Sequence, residues 1–468
     1  MRLFLPVILI FLALTACSLA PKYERPDLLV PFAYKEAGKW VPASPTYATT
    51  DRGHWWEVYG DPKLNVLEEK VGRANQNLKI ALARYQEARA KAAIARADFF
   101  PVITGVSNVQ RDKYSANISN APPVLQFNDM LLGADFSYEI DVWGRIRNQA
   151  AAAANLANAS AADLASIDLS LHAELATDYF SLRGDDETQR ALDATVIAYQ
   201  KAYAVTKDRY DGGVAPIGDV DQAKAQLESA RSLATDIRLK RAQLEHAIAV
   251  LIGEPPAEFA LLPTKQKVKV ISIAPSMPSL LLQRRPDIAA AELRVQAANA
   301  TIGVARAAYF PDFSLLGSVG IESAVGYNLF RAPSLFWSLG PSAAVILFDG
   351  GKISAFVDLA KAQYFETVAN YRQTTLTAFQ EVEDSLVAIH QLNSEVKTQA
   401  AAAKAAYSAL DQSRYRYVGG IVNYLDVVLS QNIALQAELL DVDVRTRRQI
   451  ASVQLIKALG GGWQDLRY

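Results

Sequence analysis

ARADFFP at residues 95–101 returns as ARAAYFP at residues 305–311, 210 positions later in a chain of 468. The likeness extends into the neighbours. Ala81, Arg84, Gln86, Ala88 and Ala90 fall on Ala291, Arg294, Gln296, Ala298 and Ala300 at the same spacing. Beyond the prolines the spacing becomes 207: Gly144, Arg145 and Ile146 meet Gly351, Lys352 and Ile353, Tyr210 and Gly213 meet Tyr417 and Gly420, and Asp219 meets Asp426. A short repeat array needs many copies to bury a continuous core, but a unit of roughly 200 residues can be half of one pseudo-symmetric fold.

After each echo the periodicity changes from helical to alternating. Leu132, Ala134, Phe136, Tyr138, Ile140 and Val142 take one face, and Gly133, Asp135, Ser137, Glu139 and Asp141 the other. A two-faced strand of about 11 residues is long enough to cross a bilayer at a tilt. In the second copy Phe313, Leu315, Val319 and Ile321 alternate in the same way, as do Leu335, Trp337, Leu339, Ala343, Val345 and Leu347. The expected strands are about 101–114, 131–143, 311–322 and 335–348, the first with the weakest alternation. Four strands suit either a small soluble sheet on helices or part of a membrane barrel. Closed barrels begin at about eight strands, so several chains would have to share one, with eight, twelve or sixteen strands in total.

The segment from Arg145 to Tyr210 has no proline and one glycine, Gly184, and Lys352 to Tyr417 has neither. Apolar residues recur at steps of three and four: Leu171, Leu175, Tyr179 and Leu182 in the first, Leu376, Phe379, Val382 and Leu386 in the second. That spacing marks the seam of packed helices. Helices of roughly 65 residues would be about 100 Å long, more than a compact domain holds. Each ends at a Tyr-x-x-Gly turn, at Gly213 and Gly420, where glycine takes the left-handed cap conformation cheaply. The chain then returns, giving helical hairpins over 145–252 and 352–459, with strand hairpins and helix tips expected at opposite ends.

Net charge is -1 with 21% charged residues, which excludes the basic field that gathers nucleic acid. The N-terminus has Arg2 and then an apolar run from Leu3 to Leu14, too short to anchor a membrane helix and typical of a secretory signal. It ends in Leu14, Thr15, Ala16 and Cys17, a lipobox whose cysteine becomes the lipidated first residue. Cys17 is the single cysteine, so no disulfide forms within a chain. No later run suffices for a transmembrane helix, so strands must do any crossing. The four histidines are scattered without metal-ligand spacing. The stretch LFDGGKIS lacks the four-residue glycine spacing of a phosphate loop and has Ile353 where Ser or Thr is required. No catalytic set, metal site or cofactor site is legible, and the only attached group expected is lipid on Cys17.

CSLAPKYERP after the signal, LLQRRPDI at 281–288, ARAAYFP, TAFQEVEDSL at 377–386, RYRYVGG with NYLDVV, and KALGGGW at 457–463 resemble the outer-membrane lipoproteins of tripartite efflux pumps, OprM and NodT type, related to TolC. The resemblance covers nearly all of the mature chain. It implies a mainly α protein with a membrane β-barrel, a homotrimer sharing twelve strands above a trimeric α-barrel in the periplasm. It also implies a periplasmic adaptor of the membrane fusion type, an inner-membrane pump of RND type, outer-membrane lipid as surroundings, and solute export as function. Leu425 falls on the family's gating leucine and Asp426 on an acidic ring position. Leu429 stands where relatives often carry Asp. Asp219 is the matching tip acid of the first copy, and it is equally an N-cap of the returning helix. The alternative reading is a lipid-anchored periplasmic scaffold without a pore. The expected plan is a signal peptide at 1–16, an anchored segment at 17–62, repeats at 63–255 and 281–462 joined by a linker at 256–280, and a tail at 463–468.

Overall fold

The computed structural model describes residues 18–28, 35–36, 53–117, 119, 126–264 and 285–461. Cys17, the signal peptide, most of the linker and the tail lie outside the described residues. The elements run in the order α1 Pro62–Ala74, α2 Gln76–Ala97, β1 Val102–Lys113, β2 Gln126–Ile140, α3 Arg145–Asp211, α4 Ile217–Leu251, α5 Pro286–Ala307, β3 Asp312–Ser323, β4 Leu335–Ala344, α6 Lys352–Val418 and α7 Tyr424–Ala458. The duplication is exact in length: α2 and α5 have 22 residues each, α3 and α6 have 67, and α4 and α7 have 35. At 1.5 Å per residue the two long helices measure about 100 Å. Among the described residues no helix is long and apolar enough to cross a membrane.

The chain divides into two compact units, one of residues 1–27, 84–160 and 290–372, the other of 28–83, 161–289 and 373–468. The first unit carries the sheet, an antiparallel meander in the order β1-β2-β3-β4. Strands β2 and β3 are neighbours although α3, α4 and α5 lie between them in sequence. The register sets Ala134 opposite Val319, Tyr138 opposite Leu315 and Ile140 opposite Phe313, then Val319 opposite Trp337 and Ile321 opposite Leu335. Across β2, β3 and β4 one face is therefore largely apolar, with Ser107 and Arg111 of β1 on the same side. On the other, Ser318 and Ser338 share a hydrogen bond of 2.7 Å. Strands β1 and β4 each pair on one side, leaving two open edges among the described residues.

Three strand boundaries differ from expectation. Strand β2 starts at Gln126 rather than 131, because β1 continues to Lys113 and supplies partners as far as Gln126. It stops at Ile140 rather than 143 because Asp141 leaves the ladder and accepts from the Ile146 and Arg147 amides in the first turn of α3. Strand β4 ends at Ala344 rather than 348. Ala344 pairs with Asp312, the first residue of β3, so the apolar residues beyond it have no strand to bond.

The second unit has its own core. Leu64, Leu67 and Val71 of α1 meet Leu171, Leu175, Tyr179 and Leu182 of α3, Ile248 and Leu251 of α4, and Val453 and Ile456 of α7. Asp61 caps α1 through the Lys63 and Leu64 amides and also accepts the Tyr179 hydroxyl at 2.6 Å. Gly184 permits a close helix crossing, since a Cβ there would lie 2.4 Å from the Thr446 hydroxyl. The seam of α6 is less buried than its spacing implied: Leu376 is 51% exposed.

Within this core Glu68 is fully buried, and its Oε2 lies 2.6 Å from His172 Nδ1. Asp168 stands 3.5 Å from Nε2, and Trp56 stacks on the imidazole at 4.4 Å. Burial pushes the Glu68 carboxyl up to about 7, a rise that His172 only partly offsets. Burial would lower His172, but the carboxylates of Asp168 and Glu68 outweigh it and raise the imidazole to about 9. Both groups hold protons in the fold that the unfolded chain releases, so both contributions to stability fall as pH rises. For Glu68 the window runs from its ordinary 4.5 to about 7, and for His172 from 6.5 to about 9. Relative to the non-titrating double variant Glu68→Gln, His172→Gln, the native protein should lose melting temperature steadily across these windows. A pH-independent difference would contradict this account of the cluster.

Candidate functional site

The two helix tips hold the residues to which the sequence pointed. Helices α3 and α6 end in the same hydrogen-bond pattern: the Gly213 amide donates to Tyr210 O at 2.8 Å and Val214 to Arg209 O at 2.9 Å, while Gly420 donates to Tyr417 O at 3.0 Å and Ile421 to Arg416 O at 2.9 Å. Gly213 and Gly420 have φ of 74° and 73°, the left-handed region this motif demands. The copies diverge one step later. Asn423 caps α7 by accepting from the Asp426 amide, whereas Pro216 at the start of α4 makes no side-chain cap. Asp219 is therefore not an N-cap. Like Asp426, it sits in the first helical turn, where a carboxylate opposes the positive end of the helix dipole.

The structure brings the tips together through aromatic packing. Tyr424, 3% exposed, packs with Ala223 of α4, Leu410 of α6, and Val427 and Val428 of α7. Burial raises its hydroxyl above the ordinary range, and the group is hydrogen bonded to Thr206 of α3. Its ring lies 5.4 Å from that of Tyr417, which also receives the Arg209 guanidinium at 4.8 Å. Tyr417 is half-buried and Tyr210, its counterpart, is exposed. Arg209 and Tyr424 went unassigned in the sequence. The repeated Arg-Tyr pair, 209–210 and 416–417, was the available signal for Arg209. Tyr424, which replaces Ile217 of the first copy, lay within the NYLDVV motif with no role assigned to it.

On the exposed side of α7, Leu425, Leu429 and Ile433 follow at steps of four and are 45%, 53% and 60% exposed. They form one apolar stripe, with exposed Asp426 beside its first member. Among the described residues no group of three His, Cys, Asp or Glu side chains is placed to hold a metal ion.

A further motif acquires a role. Pro286 is the first residue of α5 and Asp287 lies in its first turn. The buried Arg285 bonds Asp287 at 2.7 Å, Glu381 of α6 at 2.6 Å and the carbonyl of Ala458 at the end of α7 at 2.9 Å. One guanidinium thus satisfies a helix end and ties three helices.

The family model for outer membrane efflux protein matches residues 70–254 and again 277–461. Outer membrane protein OprJ of Pseudomonas aeruginosa is 34% identical over 464 residues, covering 98% of this chain and 96% of OprJ. The protein named "Probable outer membrane lipoprotein SilC" of Salmonella typhimurium is 28% identical, covering 97% and 98%. The solved structure of the Campylobacter jejuni CmeC outer membrane channel superposes with a TM-score of 0.88 at 26% identity, covering 97% of this chain and 96% of that one.

Replacing Gly420 with Ala forces a Cβ into the left-handed region and should destabilise the α6–α7 turn by about 1 kcal/mol. Limited trypsin digestion should then cut faster at Arg414 or Arg416, with a smaller gain for Gly420→Asn. Equal cleavage in all three proteins would refute the turn's dependence on glycine.

Proposed function

Because the chain belongs to the outer membrane efflux protein family, we propose that three copies form the exit duct of a tripartite pump, each giving four strands to a twelve-stranded barrel and its long helices to a periplasmic tube. The observation that carries this reading is the four-stranded meander with one largely apolar face and two open edges. In a bilayer such edges must pair, and a four-stranded sheet is too small to pair with itself. The duct is passive. An inner-membrane pump of RND type, joined through a periplasmic adaptor of the membrane fusion type, would supply the energy for drugs or other solutes to leave. Transport, rather than catalysis, is the activity of the family.

The mature chain would begin at Cys17 after removal of residues 1–16, with lipid on its thiol and amino groups. The Leu-Thr-Ala-Cys sequence and the similarity to SilC support this anchoring in the outer membrane. Residues 63–255 and 281–462 would be the two efflux repeats.

Leu425, Asp426 and Asp219 are proposed as the periplasmic gate, with the turns at Gly213 and Gly420, and Tyr210 and Tyr417 before them, shaping the tips. Around a threefold axis, three Leu425 side chains would make a dry constriction, and three Asp426 carboxylates would favour cations. Leu429, where relatives often carry Asp, extends the apolar stripe by one turn and removes an acidic ring. The alternative scaffold without a pore has no use for a sheet of this register.

In a planar bilayer, purified native protein should open rarely at rest. Leu425→Ser should raise resting conductance several-fold by wetting the constriction, and Asp426→Asn should shift the reversal potential in a salt gradient toward lower cation preference. Native conductance from the first variant and an unmoved reversal potential from the second would reject this gate.

A further inference from the structure

Residues 18–27 form a strap on the first unit, and the strap runs along α5 in a definite direction. Arg25 holds the buried Glu292 through bonds of 2.8 and 2.9 Å. Asn299 Nδ2 donates to Pro21 O at 2.8 Å. Ala20 rests on Gly303, where a Cβ would come within 2.7 Å of it. Arg306 then donates to Leu19 O at 3.3 Å. As the strap counts down from 25 to 19, its contacts on α5 advance from 292 to 306. Ser18, the next residue, donates from Oγ to Asn148 Oδ1 of α3 at 2.9 Å.

Along that path, one residue past Arg306 on α5 and one turn before Asn148 on α3, a groove of about 300 Å³ opens. Its walls include Ala308, Phe310, Phe313, Ile140, Val345 and Ile346. In the single chain Val345 and Ile346, just past the end of β4, are 48% and 62% exposed. Trp143 stiffens the wall by stacking on Phe310 at 4.5 Å and donating to Pro311 O at 2.9 Å. Arg145, the one cation on the lining, is already bound to Glu139 through two of its nitrogens. Three carboxylates also line the groove: Glu139 is held by Arg145, Asp141 accepts from the first amides of α3, and Asp312 is exposed. The groove thus offers no free positive charge to a phosphate headgroup, and its apolar wall is the part suited to hydrocarbon.

Cys17 is the next residue after Ser18, and consecutive Cα atoms are about 3.8 Å apart. We propose that this groove seats one acyl chain carried by Cys17, pinning the lipid anchor against the rim of the protein's own sheet. The inference rests on the lipid attachment proposed above. A seated chain covers apolar residues that β4, ending at Ala344, leaves outside the ladder. It also fixes where the strap's first residue meets the bilayer.

The test uses the full chain made in cells fed a palmitate bearing a diazirine and an alkyne. After illumination, the purified protein is digested and cross-linked peptides are mapped. The expected result is incorporation that requires Cys17, with cross-links inside residues 307–313 or 344–346 of the same chain. Ala308→Trp, which fills the groove from an exposed position, should keep incorporation and lose those cross-links. Incorporation with cross-links to phospholipid alone overturns the seat and leaves the anchor standing. Covalent dimers on a denaturing gel overturn it in favour of a groove on a neighbouring copy. Absence of incorporation rejects the anchor, and the seat with it.

Discussion

Unpaired backbone on the outer edges of β1 and β4 is the constraint on which the remainder of the structure depends. In water an edge strand is tolerable, because solvent bonds its amides and carbonyls. In hydrocarbon each unmet group costs several kcal/mol, roughly what a whole domain can lose before it unfolds. A sheet with the apolar face of Phe313, Leu315, Val319, Trp337 and Leu339 therefore needs neighbours to close it. The requirement for identical copies follows from the edges, and the requirement for an axis follows from the copies.

Duplication supplies the two halves of each wall, and the tips show where the halves were allowed to differ. Helix lengths repeat to the residue, and both long helices stop on the same glycine motif. At the tips the copies diverge just after that motif, at the start of the returning helix: Asn423 against Pro216 as cap, and Tyr424 against Ile217 as first helical residue. These changes give α7 a better-capped start and a large buried ring, to which Tyr417 and Arg209 attach. The same helix carries the Leu425, Leu429 and Ile433 stripe on its exposed side. One hairpin is thereby the better anchored, and it presents the apolar surface.

Much of this was legible in the chain because the signals are local and periodic. Alternation at period two gave the faces of β2, β3 and β4, and glycine after a long helical run gave the tips. Sequence failed where a partner decides the outcome. Val345 and Leu347 continue the spacing of β4, yet β3 starts at Asp312 and leaves them no partner within the chain. Asp219 has the chemistry of a cap, but the helix begins two residues earlier, at Ile217 behind Pro216. Leu376 has the spacing of a seam residue and is half exposed, since spacing does not tell how many neighbours a helix serves. The Arg209–Tyr417 contact joins the two copies, and a self-comparison aligns copies without showing that they touch. The assignment of Leu425 to a gate came from family resemblance, and it stands as a proposal.

The central claim is that one chain holds a third of a barrel and is complete only in threes. Light scattering on the detergent-extracted protein, with the detergent mass separated by absorbance and refractive index, measures the number of chains per particle directly. The account predicts three chains, each close to the 51.0 kDa of the full sequence less its signal peptide. A particle of one or two chains that keeps its strand content would contradict it.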